Sequence, residues 1–303
     1  MSIDERAEAL PVTDKHRPRW LETLLLLARN PMAVAAGIVL VGLILAALFA
    51  ESLVSRDDIF TPDLADRLQA PSGEHWFGTD QLGRDVFARV LAGAEVSLRV
   101  GAVAVGISLT AGVVVGLLAG YFGRWVDDTL MRVMDVLFAF PALLMAIAVL
   151  AILGPGSTNA MIAIGIVYTP IFARITRASV LSVREEVYVR AARSAGAGDI
   201  RIIARHVLPN VTAPIIVQAS ISLAFAILSE AALSFVGLGT QPPDPSWGQM
   251  LSEGRGFIEQ AWWMAVFPGA AIFVTVLAFN LLGDALRDVL DPRQRSAMKG
   301  AGV

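Results

Sequence analysis

Long runs of apolar residues that contain no charge dominate this sequence. A helix needs about 20 mostly apolar residues to cross roughly 30 Å of hydrocarbon. One uncharged run, 136–173, is nearly twice that length and contains GPGSTN at 154–159, where glycine and proline favour a turn, so we divide it into a third and a fourth span. The other predicted spans are 30–50, 100–123, about 211–238 and 261–283. The sequence therefore predicts an all-α integral membrane protein with six transmembrane helices.

The distribution of basic residues predicts the orientation. Six spans place both ends of the chain on the same side of the membrane. Most of the 24 Lys and Arg residues fall on that side, notably in 1–29 and 174–205. Positive loops favour the cytoplasm, so we expect both termini to be cytoplasmic. The predicted organisation is a cytoplasmic tail (1–29), a transmembrane domain (30–295) and a second cytoplasmic tail (296–303).

Composition excludes several classes of function. Only 17% of the residues are charged, against about 25% in soluble domains. The chain has no cysteine, and its only lysines, Lys15 and Lys299, lie in no GxxxxGK[ST] sequence, so we expect no ATP-binding loop. The three histidines are far apart, which argues against a metal site, and the net charge of −3 argues against a nucleic-acid partner. We therefore expect a non-enzymatic membrane protein with no cofactor of its own.

The most polar stretch between the apolar runs is YVRAARSAGAGDIRIIARHVLP, residues 188–209. Ser182 and Glu185 have the spacing of a capping box, which predicts a helix that begins at Val183. Gly196, with Gly198 close behind it, would end this helix. Asp199 would then cap a second helix.

The second helix is predicted to carry an apolar stripe and to end at Pro209. The stripe residues are Ile200, Ile203, Ala204 and Val207. The result is a helix–turn–helix elbow, which we call the elbow (182–209). It could be a solvated positive loop, but the caps, the turn and the stripe are features that a docking surface for a cytoplasmic partner would need.

Other residues in the spans allow two interpretations each. Gly112, Gly116 and Gly120 recur every four residues and form a smooth ridge for close helix packing, either within the bundle, against a second subunit or against lipid. Pro141, Pro170 and Pro214 lie inside predicted spans and would kink them, for architecture alone or to shape a pathway.

Glu230 is the one acid well inside an apolar span. A carboxylate in a membrane is costly and faces protein or water. It could therefore lie near the outer mouth of a pathway, or it could be a structural brace that is hydrogen-bonded to a neighbouring span.

The elbow resembles the EAA motif of bacterial ABC importer permeases. Ala191, Ala192, Gly196, Leu208 and Pro209 stand at the matching positions. Arg190 stands where the motif has glutamate, so no role of that carboxylate carries over. Segments 75–98, 120–141, 230–251 and 279–293 also resemble the dipeptide, oligopeptide, nickel and glutathione branch of this family, in particular its second permease, the DppC/OppC type.

The resemblance implies a type I ABC importer permease fold and a set of partners. A homologous second permease would form the other half of the translocation pathway, and two ABC ATPase subunits would bind ATP and Mg²⁺. The elbow would dock on an ATPase subunit, with Tyr188, Asp199 and Arg205 also on the coupling surface. An extracytoplasmic binding protein would deliver the substrate, for which 53–98 and 240–251 are candidate docking surfaces or, alternatively, lids on the bundle.

The resemblance places the chain in a bacterial inner membrane and makes peptides the expected substrates. Glutathione and nickel complexes remain alternatives. An ion-coupled secondary transporter would need more intramembrane ionisable groups than Glu230, and a membrane-embedded enzyme would need catalytic residues that the spans do not offer.

Overall fold

The computed structural model describes residues 19–290, and helices account for most of this range. The helices are α1 (Arg19–Arg29), α2 (Pro31–Leu53), α3 (Arg56–Phe60), α4 (Val86–Phe122), α5 (Arg124–Phe138), α6 (Ala142–Leu153), α7 (Ser157–Val183), α8 (Val187–Ser194), α9 (Asp199–Ile202), α10 (Leu208–Phe235), α11 (Trp247–Gly254) and α12 (Trp263–Leu290). The predicted tail 296–303 and most of the tail 1–29 lie outside the described residues.

Five of the predicted spans appear as continuous helices. Those long and apolar enough to cross a membrane are α2, α4, α7, the helical stretch 199–235 and α12. The fourth span continues past Arg174 to Val183, which makes α7 27 residues long. The second span begins at Val86 instead of Val100, so α4 extends 37 residues. The fold class predicted from the sequence is confirmed.

The third span differs from the prediction. The chain forms two helices here, α5 and α6, which are bent by 92° relative to each other. Proline has no backbone N–H and disfavours a helical conformation in the residue before it. Pro141 therefore lies at this bend, directly before α6, where the predicted kink is a complete break between two helices. Pro170 and Pro214 do lie inside helices, as predicted.

The glycine ridge lies against α7 of the same chain. A Cβ atom added at Gly112 would come within 2.5 Å of the Phe172 Cβ and 2.7 Å of the Thr169 carbonyl oxygen. At Gly116 it would come within 2.5 Å of the Ala173 carbonyl oxygen, and at Gly120 within 2.8 Å of the Val180 Cβ. The three glycines have no side chains, and this allows the backbones of α4 and α7 to pack directly against each other.

The segments 54–85 and 236–262 pack together at the end of the bundle opposite the elbow, and we call this unit the cap. Buried ion pairs hold it: the Arg84 Nε lies 2.7 Å from the Asp80 Oδ2, and the Arg89 Nη2 lies 3.4 Å from the Glu253 Oε2. The Trp247 indole donates a hydrogen bond to the Val90 carbonyl oxygen at 2.9 Å. The cap is therefore attached firmly to the first turns of α4.

Candidate functional site

The elbow begins later than the sequence predicts. α7 extends through Ser182 to Val183, and the backbone N–H of Glu186 donates to the Val183 carbonyl oxygen at 3.1 Å. Ser182 is therefore in the last turn of one helix instead of the cap of the next. The helix α8 begins at Val187 without a side-chain cap. The predicted capping box was wrong because the preceding span is longer than its apolar run.

Gly196 ends α8 as predicted. Its φ angle is +80°, in the left-handed region that glycine adopts without strain. The N–H of Ala197 donates to the Ala192 carbonyl oxygen at 3.1 Å, and the N–H of Gly196 donates to the Arg193 carbonyl oxygen at 3.0 Å. This arrangement satisfies carbonyl groups at the helix end and fixes a tight turn.

Asp199 is not a helix cap. It is the first residue of α9, and its carboxylate makes no capping hydrogen bond. Instead, the Asp199 Oδ1 accepts a hydrogen bond of 2.7 Å from the Tyr121 hydroxyl at the end of α4. A tertiary donor on another helix has taken the acceptor that the local sequence would have used.

The second helix of the elbow is the beginning of the fifth span. α9 leads through a π-helical turn, Ile203–Val207, directly into α10, where Leu208 and Pro209 are the first two residues. The Leu208 N–H donates to the Ile203 carbonyl oxygen, five residues back. A wider turn accommodates the ring of Pro209, which would clash with a carbonyl four residues back. The prediction that Pro209 ends the unit was therefore wrong.

The π turn also changes which apolar side chains face the bundle. Val189, Ile202 and Val207 are fully buried and attach the elbow to the core, whereas Ile200 of the predicted stripe is 85% exposed. The spacing of five between Ile202 and Val207 follows the wider helix and not the period of 3.6 that the prediction assumed.

An apolar surface remains exposed on the elbow. Val187 is 70% exposed and Tyr188 is 42% exposed. Ala191 lies one turn beyond Val187 and is also exposed, while Ala192 is half-buried and packs towards the core. Arg190 and Arg205 are exposed beside this surface. The elbow thus presents aliphatic and small side chains within a basic surrounding.

Two further contacts attach the elbow to α4. The Arg184 Nη1 donates to the Gly120 carbonyl oxygen at 2.7 Å. The guanidinium of Arg193 lies 5.4 Å from the centre of the Tyr121 ring. The sequence did not predict these contacts of Tyr121 and Arg184, since no local pattern around either residue indicates its partner.

Ion pairs join α5 to α7 on the same side of the bundle. The Arg177 Nη2 lies 2.6 Å from the Asp127 Oδ2, and the Arg174 Nη2 lies 2.7 Å from the Asp135 Oδ1. The Arg174 guanidinium also lies 4.1 Å from the centre of the Phe138 ring. In the sequence, acidic residues follow the second span and arginines lie at the end of the fourth span. This opposite charge was the available signal for the pairing.

Glu230 lies far from the elbow, near the cap end of α10. Its carboxylate is fully buried and accepts hydrogen bonds from Ser97 at 3.2 Å, Ser234 at 2.7 Å and Thr240 at 3.4 Å. The donors come from α4, from α10 and from the cap. The hydrogen bonds therefore connect three elements, as the brace interpretation requires.

Known protein families and relatives match most of this sequence. The sequence profile of the family described as "Binding-protein-dependent transport system inner membrane component" matches residues 112–296. The profile described as "N-terminal TM domain of oligopeptide transport permease C" matches residues 19–71. The chain is 50% identical over 277 residues to the dipeptide transport system permease protein DppC of Alkalihalophilus pseudofirmus, which covers 91% of each chain. It is 46% identical over 281 residues to the glutathione transport system permease protein GsiD of Pectobacterium atrosepticum, covering 92% of this chain and 93% of the relative.

Solved structures agree on the fold. Inward-facing conformations of the MetNI methionine ABC transporter include a chain that superposes with a TM-score of 0.56 at 17% identity, over 68% of this chain and 97% of the other. With several apolar spans, the protein is a multi-pass membrane protein. The chain belongs to the family of binding-protein-dependent transport system inner membrane components, and it is a membrane-spanning permease subunit of an ABC importer.

Proposed function

We propose that this chain forms half of the translocation pathway of a peptide importer in a bacterial inner membrane, and that it docks on an ABC ATPase subunit through its elbow. A homologous second permease supplies the other half of the pathway. Two ATPase subunits bind ATP and Mg²⁺ and carry out hydrolysis, while this chain binds no nucleotide and catalyses no reaction. Both termini lie in the cytoplasm.

One observation supports docking at the elbow above all others: Ile200 is 85% exposed in a segment in which Val189, Ile202 and Val207 are fully buried. An isoleucine in water at this position costs free energy unless a partner covers it, at about 25 cal/mol per Å² of apolar surface. Val187 and Ala191 extend the same surface along α8. Small and aliphatic side chains suit a close-fitting interface, and Arg190 and Arg205 are placed at its rim.

The substrate class follows from the relatives. The two similar permeases carry the names of a dipeptide and a glutathione transport system, and both substrates are short peptides. We infer that this permease transports short peptides delivered to the cap by an extracytoplasmic binding protein. Uptake of radiolabelled dialanine and of radiolabelled glutathione into proteoliposomes that contain the whole transporter distinguishes the two peptide classes.

The docking surface is tested by substitutions at its tip. Ile200→Asp and Ala191→Trp should each lower the affinity for the ATPase subunit at least tenfold in a pull-down, which is the loss expected for a central interface residue. Ile200→Leu is the matched control, since it keeps an apolar side chain of the same size, and it should stay within about threefold of the wild type. The variant Gly196→Pro should also lose capture of the ATPase, because proline cannot adopt the positive φ of the turn.

The outcome that would contradict the proposal is specific. If Ile200→Asp and Ala191→Trp insert normally and retain both ATPase capture and dialanine uptake, the elbow is a solvated loop and docking occurs elsewhere. Arg190→Glu should have a smaller effect than either variant, because a charge at the rim changes association less than a buried clash does.

A further inference from the structure

A buried tyrosine connects the cytoplasmic end of α4 to the elbow. Tyr121 lies in the last turn of α4, is 6% exposed, and donates its hydroxyl hydrogen to the Asp199 Oδ1 at 2.7 Å. The Arg193 guanidinium covers its ring at 5.4 Å. The hydrogen bond joins the last turn of α4 to the first residue of α9, so it resists separation of the two elements.

A second contact attaches α4 to the other side of the elbow. The last carbonyl groups of a helix have no partner within the helix and carry partial negative charge. Arg184 donates to the Gly120 carbonyl oxygen at 2.7 Å, so a cation lies at this helix end. Arg184 comes before α8 in the chain and Asp199 comes after it. The end of α4 is therefore bonded on both sides of α8.

The opposite end of the same helix is bonded to the cap. Arg89, in the first turn of α4, is 1% exposed and donates to the Ile59 carbonyl oxygen at 3.1 Å and to the Glu253 carboxylate at 3.4 Å. α4 has 37 residues, which corresponds to a length of about 55 Å. It contains no proline. One uninterrupted helix thus connects the elbow with the cap.

We propose that Tyr121 is a positioning residue that transmits movement of the elbow to α4, and through α4 to the cap. This inference rests on the proposed docking of the ATPase at the elbow. When the docked subunit moves the elbow, α4 follows only if the two are bonded. The Tyr121–Asp199 hydrogen bond provides this connection on the far side of α8, because it joins the end of α4 to the residue that follows the elbow turn. Without it, the Arg184–Gly120 hydrogen bond remains on one side of α8 only, and less of the movement of the elbow reaches α4 and the cap.

Three variants separate transmission from packing. Tyr121→Phe removes the hydroxyl and keeps the ring against Arg193. Asp199→Ala removes the acceptor. Asp199→Asn removes the charge but keeps an oxygen in the place of the Asp199 Oδ1, so it is the matched control. Each variant is prepared as the complete transporter with its second permease, its ATPase subunits and its binding protein in proteoliposomes, and three quantities are measured: ATPase capture, ATP hydrolysis, and radiolabelled dialanine taken up per ATP hydrolysed.

We expect Tyr121→Phe to retain ATPase capture within about twofold, and we expect both Tyr121→Phe and Asp199→Ala to lower dialanine uptake per ATP at least fivefold. Asp199→Asn should keep dialanine uptake per ATP within about twofold of the wild type. The double variant Tyr121→Phe/Asp199→Ala should lose no more than either single variant, because both remove the same hydrogen bond. A transporter that only becomes less stable would lose uptake and hydrolysis together, and their ratio would not change.

Two results would overturn the inference. The first is an unchanged ratio of uptake to hydrolysis in both Tyr121→Phe and Asp199→Ala. The second is an equal loss in Asp199→Asn, which would assign the effect to the charge instead of the hydrogen bond. Failure of the docking proposal has a different signature, since it appears as intact ATPase capture in Ile200→Asp and does not depend on these variants. If wild-type proteoliposomes take up radiolabelled glutathione instead of dialanine, the same ratio is measured with glutathione.

Discussion

At the scale of single residues, Glu230 shows how burial determines the hydrogen-bond partners of a polar side chain. Glu230 was open to two interpretations from the sequence, because an acid in an apolar span marks either a pathway or a brace. Its three hydroxyl donors come from Ser97, Ser234 and Thr240, which belong to three separate parts of the chain. No sequence pattern joins residues that are 133 positions apart, as Ser97 and Glu230 are. The folded structure supplies the donors that the brace interpretation requires, and the choice between the two interpretations stays a prediction.

The brace interpretation makes a prediction about stability. Glu230→Ala leaves three buried hydroxyl groups without their acceptor and should lower the free energy of unfolding by about 2–4 kcal/mol. Glu230→Gln keeps one acceptor oxygen and should cost less. Thermal unfolding of the purified chain in detergent, followed by tryptophan fluorescence, measures both. A variant of Glu230 that unfolds at the wild-type temperature and yet loses transport would instead favour the pathway interpretation.

At the scale of helices, apolar runs predict where spans lie but not how they begin, bend or end. The runs for α2, α10 and α12 were sufficient because each contains one uninterrupted helix. The run at 136–173 failed at Pro141, since a charge-free sequence looks the same whether a helix continues or turns by 92°. The elbow was predicted correctly at Gly196, where only a positive φ fits the turn. It was predicted wrongly at Ser182, Asp199 and Pro209, where tertiary contacts or a π turn override the local signal.

The α4–α7 helix pair carries a prediction with its own control. Gly112→Leu should destabilise the chain by about 1–3 kcal/mol or prevent folding, because the added Cβ alone would lie 2.5 Å from the Phe172 Cβ. Gly106→Leu is the control on the same helix, since nothing lies within 4 Å of the added Cβ there. Size-exclusion profiles and thermal unfolding of the two variants provide the comparison. Equal behaviour of the two would show that this helix pair separates easily.

At the scale of the whole molecule, the elbow and the cap occupy opposite ends of the bundle, and this geometry makes the orientation testable. The distribution of basic residues predicts that the elbow lies in the cytoplasm. The chain has no cysteine, so single cysteines report position without background. We expect Gly73→Cys, in the cap, to react with an impermeant maleimide in intact spheroplasts. Asp288→Cys, near the end of α12, should react only after permeabilisation.

Gly73 suits this test because an added Cβ there meets nothing within 4 Å, and Asp288 suits it because its side chain is exposed. The reverse labelling pattern, or labelling of both cysteines from outside, would contradict an even number of crossings with cytoplasmic termini. The bent pair of α5 and α6 would then be the first place to look, since the count of six crossings depends on it.

The shortness of α6 has a consequence for the lipid around the protein. Its 12 residues span about 18 Å, while the hydrocarbon layer is about 30 Å thick. Hydrophobic mismatch is relieved by local thinning of the bilayer, by snorkelling of flanking side chains or by association with another helix, at a cost of fractions of a kcal/mol for each ångström. Ile152 at the end of α6 is 86% exposed and Leu144 is 60% exposed, so lipid chains or another subunit must cover this helix. Where lipid covers α6, the membrane beside it becomes thin. The acyl-chain length of the lipid then affects this permease at one side of the bundle, next to α6.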